Sequence, residues 1–195
     1  MSASLHLFPE LVPAGASAEP APTGLRHADG VISPDEARRL VERFETLDFA
    51  PFDFRGFKGN RRTVAFGSRY DFTHHRVGAA EPMPDWLSPL RAKASVFAGI
   101  REAELVQALI TEYPPGAGIG WHRDRPEYGK VIGLSFVSNC TLRFRRPEAG
   151  SWRRASVALR PGSAYLLDGE ARGAWQHSIS PGTALRYSVT FRTSR

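Results

Sequence analysis

With 195 residues and a single cysteine, Cys140, the chain has room for one domain with a real core, and it excludes both a disulfide framework and a cysteine-based zinc site. Its 42% hydrophobic and 24% charged residues describe a globular domain, and no apolar run reaches the about 18 residues of a membrane helix. The formal net charge of +6 is carried almost wholly by arginine, the only lysines being Lys58, Lys93 and Lys130. It suits an acidic partner such as nucleic acid, although an arginine-favouring base composition gives the same balance.

Residues 1–24, rich in Ala and Pro, read as a flexible arm without the basic start and long apolar core of a signal peptide, so a cytoplasmic monomer is expected. Ser33-Pro34-x-Glu36 is a helix start with a capping box, and Ala37, Leu40, Val41, Phe44 and Leu47 continue it as an apolar stripe. A second helix is predicted from about Pro84 to Ala98, closed by Gly99. Between the two, Phe52 to Phe72 interleaves aromatics with Arg, Lys and Gly. Such a segment suits stacking on bases and holding phosphates, which makes Arg61, Arg62, Phe66 and Tyr70 candidate substrate contacts; the alternative is that its aromatics pack in the core and its arginines are solvated.

From Leu105 onward the pattern is β. Runs at 106–113, 120–124, 131–137, 141–145, 156–159, 164–168, 177–179 and 186–192 are punctuated by Pro and Gly and predict about eight short strands, as in a double-sheet jelly roll. Residues 25–104 are read as helices plus a substrate lid and 105–195 as the catalytic core of one folded unit. Cys140 falls in an apolar run and reads as a small buried hydrophobe. Leu142 and Phe144 alternate with Arg143 and Arg145, giving a strand with one apolar and one cationic face that Arg146, Arg153 and Arg154 extend.

Within this β region, Trp121-His122-Arg-Asp124 is followed by His177 and by Arg186-Tyr-Ser-Val-Thr-Phe-Arg192. His122 and Asp124 are i and i+2, on one face of an extended strand. Two histidines and a carboxylate occupy one face of an octahedral iron and leave three positions open, two for a bidentate 2-oxo acid and one for O2.

Together with Tyr113 and Gly169-Glu-Ala-Arg172, these motifs make residues 105–192 resemble the AlkB family of Fe(II)- and 2-oxoglutarate-dependent dioxygenases. Phe66-Gly-Ser-Arg-Tyr70 and Met83-Pro-Asp-Trp86-Leu87 are similar to the segment that precedes that core. The resemblance implies a double-stranded β-helix, mainly β, with two or more N-terminal helices on its outer sheet. It implies that His122, Asp124 and His177 bind Fe(II), that Arg186 pairs with the distal carboxylate of 2-oxoglutarate, and that Arg192 reaches the 1-carboxylate or the base. Tyr113 donates its hydroxyl to the co-substrate, Thr111 stands where the family often has Asn, and Arg172 orients the site. O2 and 2-oxoglutarate are then consumed, and an N-methyl group on a flipped or single-stranded base leaves as formaldehyde.

Trp121, Arg143 and Arg145 complete the expected substrate contacts, with Arg153 as a further phosphate ligand. Arg125-Pro126-Glu127, after Asp124, leaves the preferred base open. Two alternatives stand: the same oxygenase acting on a protein side chain or small molecule, and a jelly-roll module that binds metal or nucleic acid without turnover.

Overall fold

A computed structural model describes residues 21–54, 57–71 and 76–195 of the chain; residues 1–20 of the expected arm lie outside the described residues. The N-terminal part comprises strand β1 (Leu25–Ala28), helix α1 (Pro34–Phe44), strands β2 (Ala50–Phe54), β3 (Phe57–Phe66), β4 (Ser68–Asp71) and β5 (Arg76–Ala79), and helix α2 (Ser88–Ala98). The remainder is β6 (Leu105–Tyr113), β7 (Ile119–His122), β8 (Tyr128–Phe136), β9 (Cys140–Glu148), β10 (Ser151–Leu159), β11 (Ala164–Leu167), the short helix α3 (Gly169–Gly173), β12 (Gln176–Ile179) and β13 (Arg186–Ser194). No helix among the described residues is long and apolar enough to cross a membrane.

The strands form a large antiparallel sheet in the order β1-β11-β8-β13-β6-β3-β2, a small one in the order β10-β9-β12-β7, and the separate hairpin β4-β5. This is the mainly-β jelly roll, and the helices lie where they were expected, on the outer face of the large sheet. Phe44 of α1 and Leu90 and Ala94 of α2 pack on Ile110, Ile132, Leu134, Phe136, Val189 and Phe191. The Phe44 ring meets Phe136 edge-on at 5.2 Å. A second core, with Val131, Tyr165 and Leu167 from the large sheet and Leu142, Phe144 and Ile179 from the small one, fills the space between the sheets.

The predicted strands recur with their edges moved. Pro147 continues β9, and the reversal to β10 is made by Ala149 and Gly150, both at positive φ (45° and 81°). Two successive positive φ values give the tight hairpin whose twist matches that of its strands. The segment expected as a flexible lid contributes the ten-residue β3, paired to β6 from Arg62–Glu112 through Phe66–Ala108. Its Val64 and Phe66 supply the apolar face that a strand over the helices needs. Cys140 is half-buried at the start of β9 rather than fully enclosed.

Helix α1 begins as its sequence dictates. The Ser33 hydroxyl accepts from the Glu36 backbone, and the Glu36 carboxylate accepts from the Ser33 backbone at 3.1 Å and from Lys93 of α2 at 3.0 Å. The Lys93 hydrogen bond, with those from Ser33, holds the Glu36 carboxyl down at about 2, below its ordinary 4.5. A carboxyl depressed by folding stabilises the fold in full above pH 4.5 and loses that contribution as pH falls toward 2. Urea unfolding should therefore show Ser33→Ala costing about 1 kcal/mol at neutral pH. Glu36→Gln should be destabilised at neutral pH and should lose less stability than the parent chain between pH 4.5 and 2; parallel pH profiles would contradict the role given to Glu36.

Candidate active site

The chemistry-bearing groups converge between the sheets because strand residues alternate in direction. On β13, Tyr187, Val189 and Phe191 face the helices, which turns Arg186, Ser188, Thr190 and Arg192 into the interior. On β12, His177 is directly opposite His122 of β7, and the two rings lie 4.3 Å apart between centroids. Asp124 stands two residues past the end of β7 yet still turns inward, so the expected strand geometry is completed by a loop. Ligand atoms of His122, Asp124 and His177 all lie within 4.8 Å of one another, and His177 Nε2 is 3.4 Å from Asp124 Oδ2.

Two of the three, His122 and Asp124, are oriented from behind, while the buried Nδ1 of His177 has no hydrogen-bond partner among the described residues. His122 Nδ1 lies 2.9 Å from the Gly120 carbonyl, which can only accept, so Nδ1 carries the proton and Nε2 keeps its lone pair for a metal. Arg192 donates through Nε (2.9 Å) and Nη2 (2.7 Å) to Asp124 Oδ1, leaving Oδ2 toward the histidines. The third donor of Arg192 goes to Gln107 Oε1 at 2.8 Å, and Gln107 Nε2 donates to the Tyr128 hydroxyl at 2.7 Å. Arg192, expected at the 1-carboxylate or the base, is engaged on the Asp124 carboxylate. Arg172 comes from α3, a single turn capped by Asp168. Its guanidinium donates to the carbonyls of Asp124, Arg125, Tyr128 and Gly129, pinning the loop that presents Asp124.

These groups are in the protonation states that a metal requires. Burial pushes His177 down to about 4, with the Asp124 charge acting against it, and burial likewise lowers His122. Burial would raise the Asp124 carboxyl, but Arg192 and the two histidines outweigh it and hold the group well below the usual carboxylate range. Two neutral imidazoles and one carboxylate at neutral pH are the donor set of an Fe(II) site with open positions.

A second group in the same interior suits a dicarboxylate. Arg186 is 4% exposed, lies over the Tyr113 ring at 4.9 Å and donates from Nε to the Ser135 hydroxyl. Its Nη1 is buried without a partner. An orphaned guanidinium donor is costly unless something binds it, and a carboxylate is its natural acceptor. Tyr113, Cys140 and Ile179 line the small pocket that ends at Arg186. Thr111, on β6 two residues before Tyr113 and opposite Ser188, is buried on the same face.

The expected substrate contacts divide. Arg61 is the one that reaches the metal ligands: its charge acts on His122 and Tyr113, and burial lowers its own pKa. Arg62, one residue on, faces the other side of the sheet, where it forks onto the buried Glu112 at 2.8 and 3.0 Å, so it neutralises a core carboxylate. Phe66 is 9% exposed and packs edge-on against Trp86 in the helix-side core. Tyr70 stands on β4 opposite Val77, with its side chain outside the described residues. Trp121, Arg143 and Arg145 lie on the outer face of the small sheet, turned away from His122 and His177. Arg153 faces the other way, beside Trp175.

Sequence reasoning missed Tyr165. Its ring covers Gly133, where a Cβ would come within 2.2 Å of it, and burial first, then Asp124 and Tyr113, raise its pKa. Arg186 and Arg192 also act on it, so its phenol is within reach of both ends of the cavity. An aromatic in a four-residue strand gives no hint of this; the glycine opposite it is the only signal, and it becomes one only once the pairing is known.

An open metal face beside an arginine that lacks an acceptor is the working arrangement of oxygenases that spend a 2-oxo acid at Fe(II). The model of the 2OG-Fe(II) oxygenase superfamily matches residues 24–192, and the chain belongs to that superfamily, in its AlkB branch. Fe(II), 2-oxoglutarate and O2 are what the superfamily uses.

The chain is similar to mouse tRNA (carboxymethyluridine(34)-5-O)-methyltransferase ALKBH8, with 28% identity over 169 residues, 84% of this chain and 25% of that protein. It is similar to the Arabidopsis thaliana alkylated DNA repair protein ALKBH8 homolog, with 29% identity over 58% of this chain and 38% of that one. It also resembles the Danio rerio probable RNA/DNA demethylase ALKBH6, with 36% identity over 35% of this chain and 30% of that one. The chain therefore spans well under half the length of these relatives. Among solved structures, OsALKBH1 superposes with a TM-score of 0.70 over 90% of this chain and all of that one, and a Burkholderia pseudomallei oxidoreductase of the 2OG-Fe(II) oxygenase family with 0.59 over 88% and 84%. At 15% identity both speak to the fold alone.

Because Arg192 holds Asp124 in place, Arg192→Met should weaken Co(II) binding, followed by its absorption spectrum, by about 10–100-fold; unchanged affinity would remove Arg192 from the site's support.

Proposed function

We propose that the chain removes alkyl groups oxidatively from N-alkylated bases in nucleic acid. The observation that carries the oxidative part is the orphaned Nη1 of Arg186 in the same interior as the His122–Asp124–His177 cluster, a donor set matched to iron and a 2-oxo diacid together. The relatives named as RNA/DNA demethylase and DNA repair protein support the substrate class, as does the basic balance of the chain. When bound, iron with 2-oxoglutarate and O2 supplies the oxidant that puts a hydroxyl on an N-methyl carbon, which then leaves as formaldehyde while succinate and CO2 are released.

The chain's own residues do the holding. Arg186 and Tyr113 fix the distal end of the diacid, and Thr111 offers it a hydroxyl. Asp124, braced by Arg192 and Arg172, keeps the metal ligands at one geometry. Arg61, whose charge is felt at His122, adds to the cationic character that suits an anionic substrate. Tyr165 fills the interior and keeps it dry, which protects a reactive centre from side reactions. Pocket entry requires an unstacked base, so single-stranded or flipped nucleotides are the expected form.

The test is incubation with Fe(II), 2-oxoglutarate, ascorbate and a pool of methylated DNA and RNA, read by nucleoside mass spectrometry beside His177→Ala. Methyl loss that disappears in the variant supports the proposal; succinate made with no methyl loss would move the substrate to a protein side chain or small molecule. Arg186→Lys keeps the charge but loses the fork, and should raise the KM for 2-oxoglutarate by about tenfold or more while Co(II) binding is unchanged.

A further inference from the structure

The outer face of the small sheet gathers arginine and tryptophan side chains. Alternation on β9, β10, β12 and β7 turns Arg143, Arg145, Trp152, Arg154, Gln176 and Trp121 outward, while Leu142, Phe144, His122 and His177 turn inward. Register makes them neighbours: Arg143 is paired with Ser178 and Ser156, and Arg145 with Gln176 and Arg154. The Arg145 guanidinium is held between two indoles, 4.5 Å from the Trp121 ring centre and 4.3 Å from that of Trp152, and its Nε donates to Gln176 at 2.8 Å. Arg143 adds a second cation over Trp121 at 5.1 Å. Trp152 remains 40% exposed, one of three large apolar side chains of that kind among the described residues.

Among the described residues, the four strands put no acidic side chain on this face. Glu148, the acidic residue of β9, turns to the opposite face, where it meets Arg146 and Arg153. Among the described residues, no carboxylate pairs with Arg143, Arg145 or Arg154. Cations fixed by stacking, without counter-charges and beside an exposed indole, meet the two demands of a single polynucleotide strand: phosphates need positive charge and unpaired bases need a flat π-face. An exposed four-stranded sheet with aromatics on its surface is one of the ways proteins hold single-stranded RNA.

We infer that this face is a docking surface for a single-stranded polynucleotide, separate from the metal cavity, with phosphates on Arg143, Arg145 and Arg154 and a base stacked on Trp152. It rests on the proposed nucleic-acid substrate and deepens it. The strand is held outside the small sheet, and the reactive nucleotide goes round the sheet edge to the iron ligands on its inner side. Affinity for the polymer and chemistry on the base thus belong to opposite faces of the same four strands.

The test uses the full chain and an unmodified, dye-labelled oligothymidylate of about 16 nucleotides, followed by anisotropy over a salt series. Trp152→Ala should weaken binding by about tenfold, within the range of one lost base stack. Arg154→Gln should reduce the slope of log affinity against log salt by about 0.7, one single-strand phosphate. Both residues are exposed and away from the metal, so substrate-free succinate formation and the unfolding midpoint should match those of the parent chain. Wild-type affinity and slope in both variants would overturn the surface, as would no binding by the parent chain. Displacement by polyglutamate as readily as by unlabelled strand, with no effect of Trp152→Ala, would assign the face to an acidic protein and overturn it too. If binding depends on Trp152 and Arg154 but no methylated base is consumed, the surface stands and the demethylase reading falls alone.

Discussion

The site depends on the ion pair between Arg192 and Asp124. A carboxylate with a 6% exposed side chain is unfavourable unless its charge is matched, and only in its ionised form could it serve a metal. Arg192 satisfies both conditions on one oxygen and leaves the other for the metal. What surrounds the pair follows from keeping it in place: Gln107 fixes the back of the guanidinium, Tyr128 fixes Gln107, and Arg172 fixes the loop carrying Asp124. Arg192 is on β13, in the middle of the large sheet, so its position is set by pairing on both sides, to β6 and to β8. The position of Asp124 is thereby tied to the central strand of the large sheet.

The period of two in a strand lets each element do two jobs. Strand β13 gives one face to the hydrophobic core under the helices and the other to the co-substrate and metal cavity. Strand β7 gives His122 to the cavity and Trp121 to the outside. In β3, Arg61 goes to the cavity and Arg62 to a buried glutamate. Neighbouring residues of identical chemistry therefore have unrelated purposes, decided only by which side of the sheet they leave.

This explains what could be read in the sequence and what could not. Ser33-Pro34-x-Glu36 and the apolar stripe after it define α1 from local physics alone, and the alternating runs after Leu105 give the strands. The set His122, Asp124 and His177 was legible because a metal takes those donor types, and Arg186 because a guanidinium is what the resemblance puts against a 2-oxo diacid. The facing of Phe66, Arg62, Arg143 and Arg145 was not, because it depends on partners such as Glu112 and Trp152 and on which strands pair. Tyr165 was invisible for the same reason: its place depends on the missing side chain of Gly133, on another strand. Composition marked the arginines as basic but could not say which of them already had a carboxylate.

The free edge of the small sheet has a bearing on what can pair with it. Among the described residues strand β10 pairs with β9 alone, so its other side offers main-chain donors and acceptors to an extended segment that approaches. An arginine-bearing segment pairing there would run beside Arg153 on one face of the strand and Arg154 on the other. Like charges at that spacing repel, whereas a phosphate-bearing strand meets no such penalty. The same arginines therefore weigh against a basic segment at this edge and favour one of opposite charge.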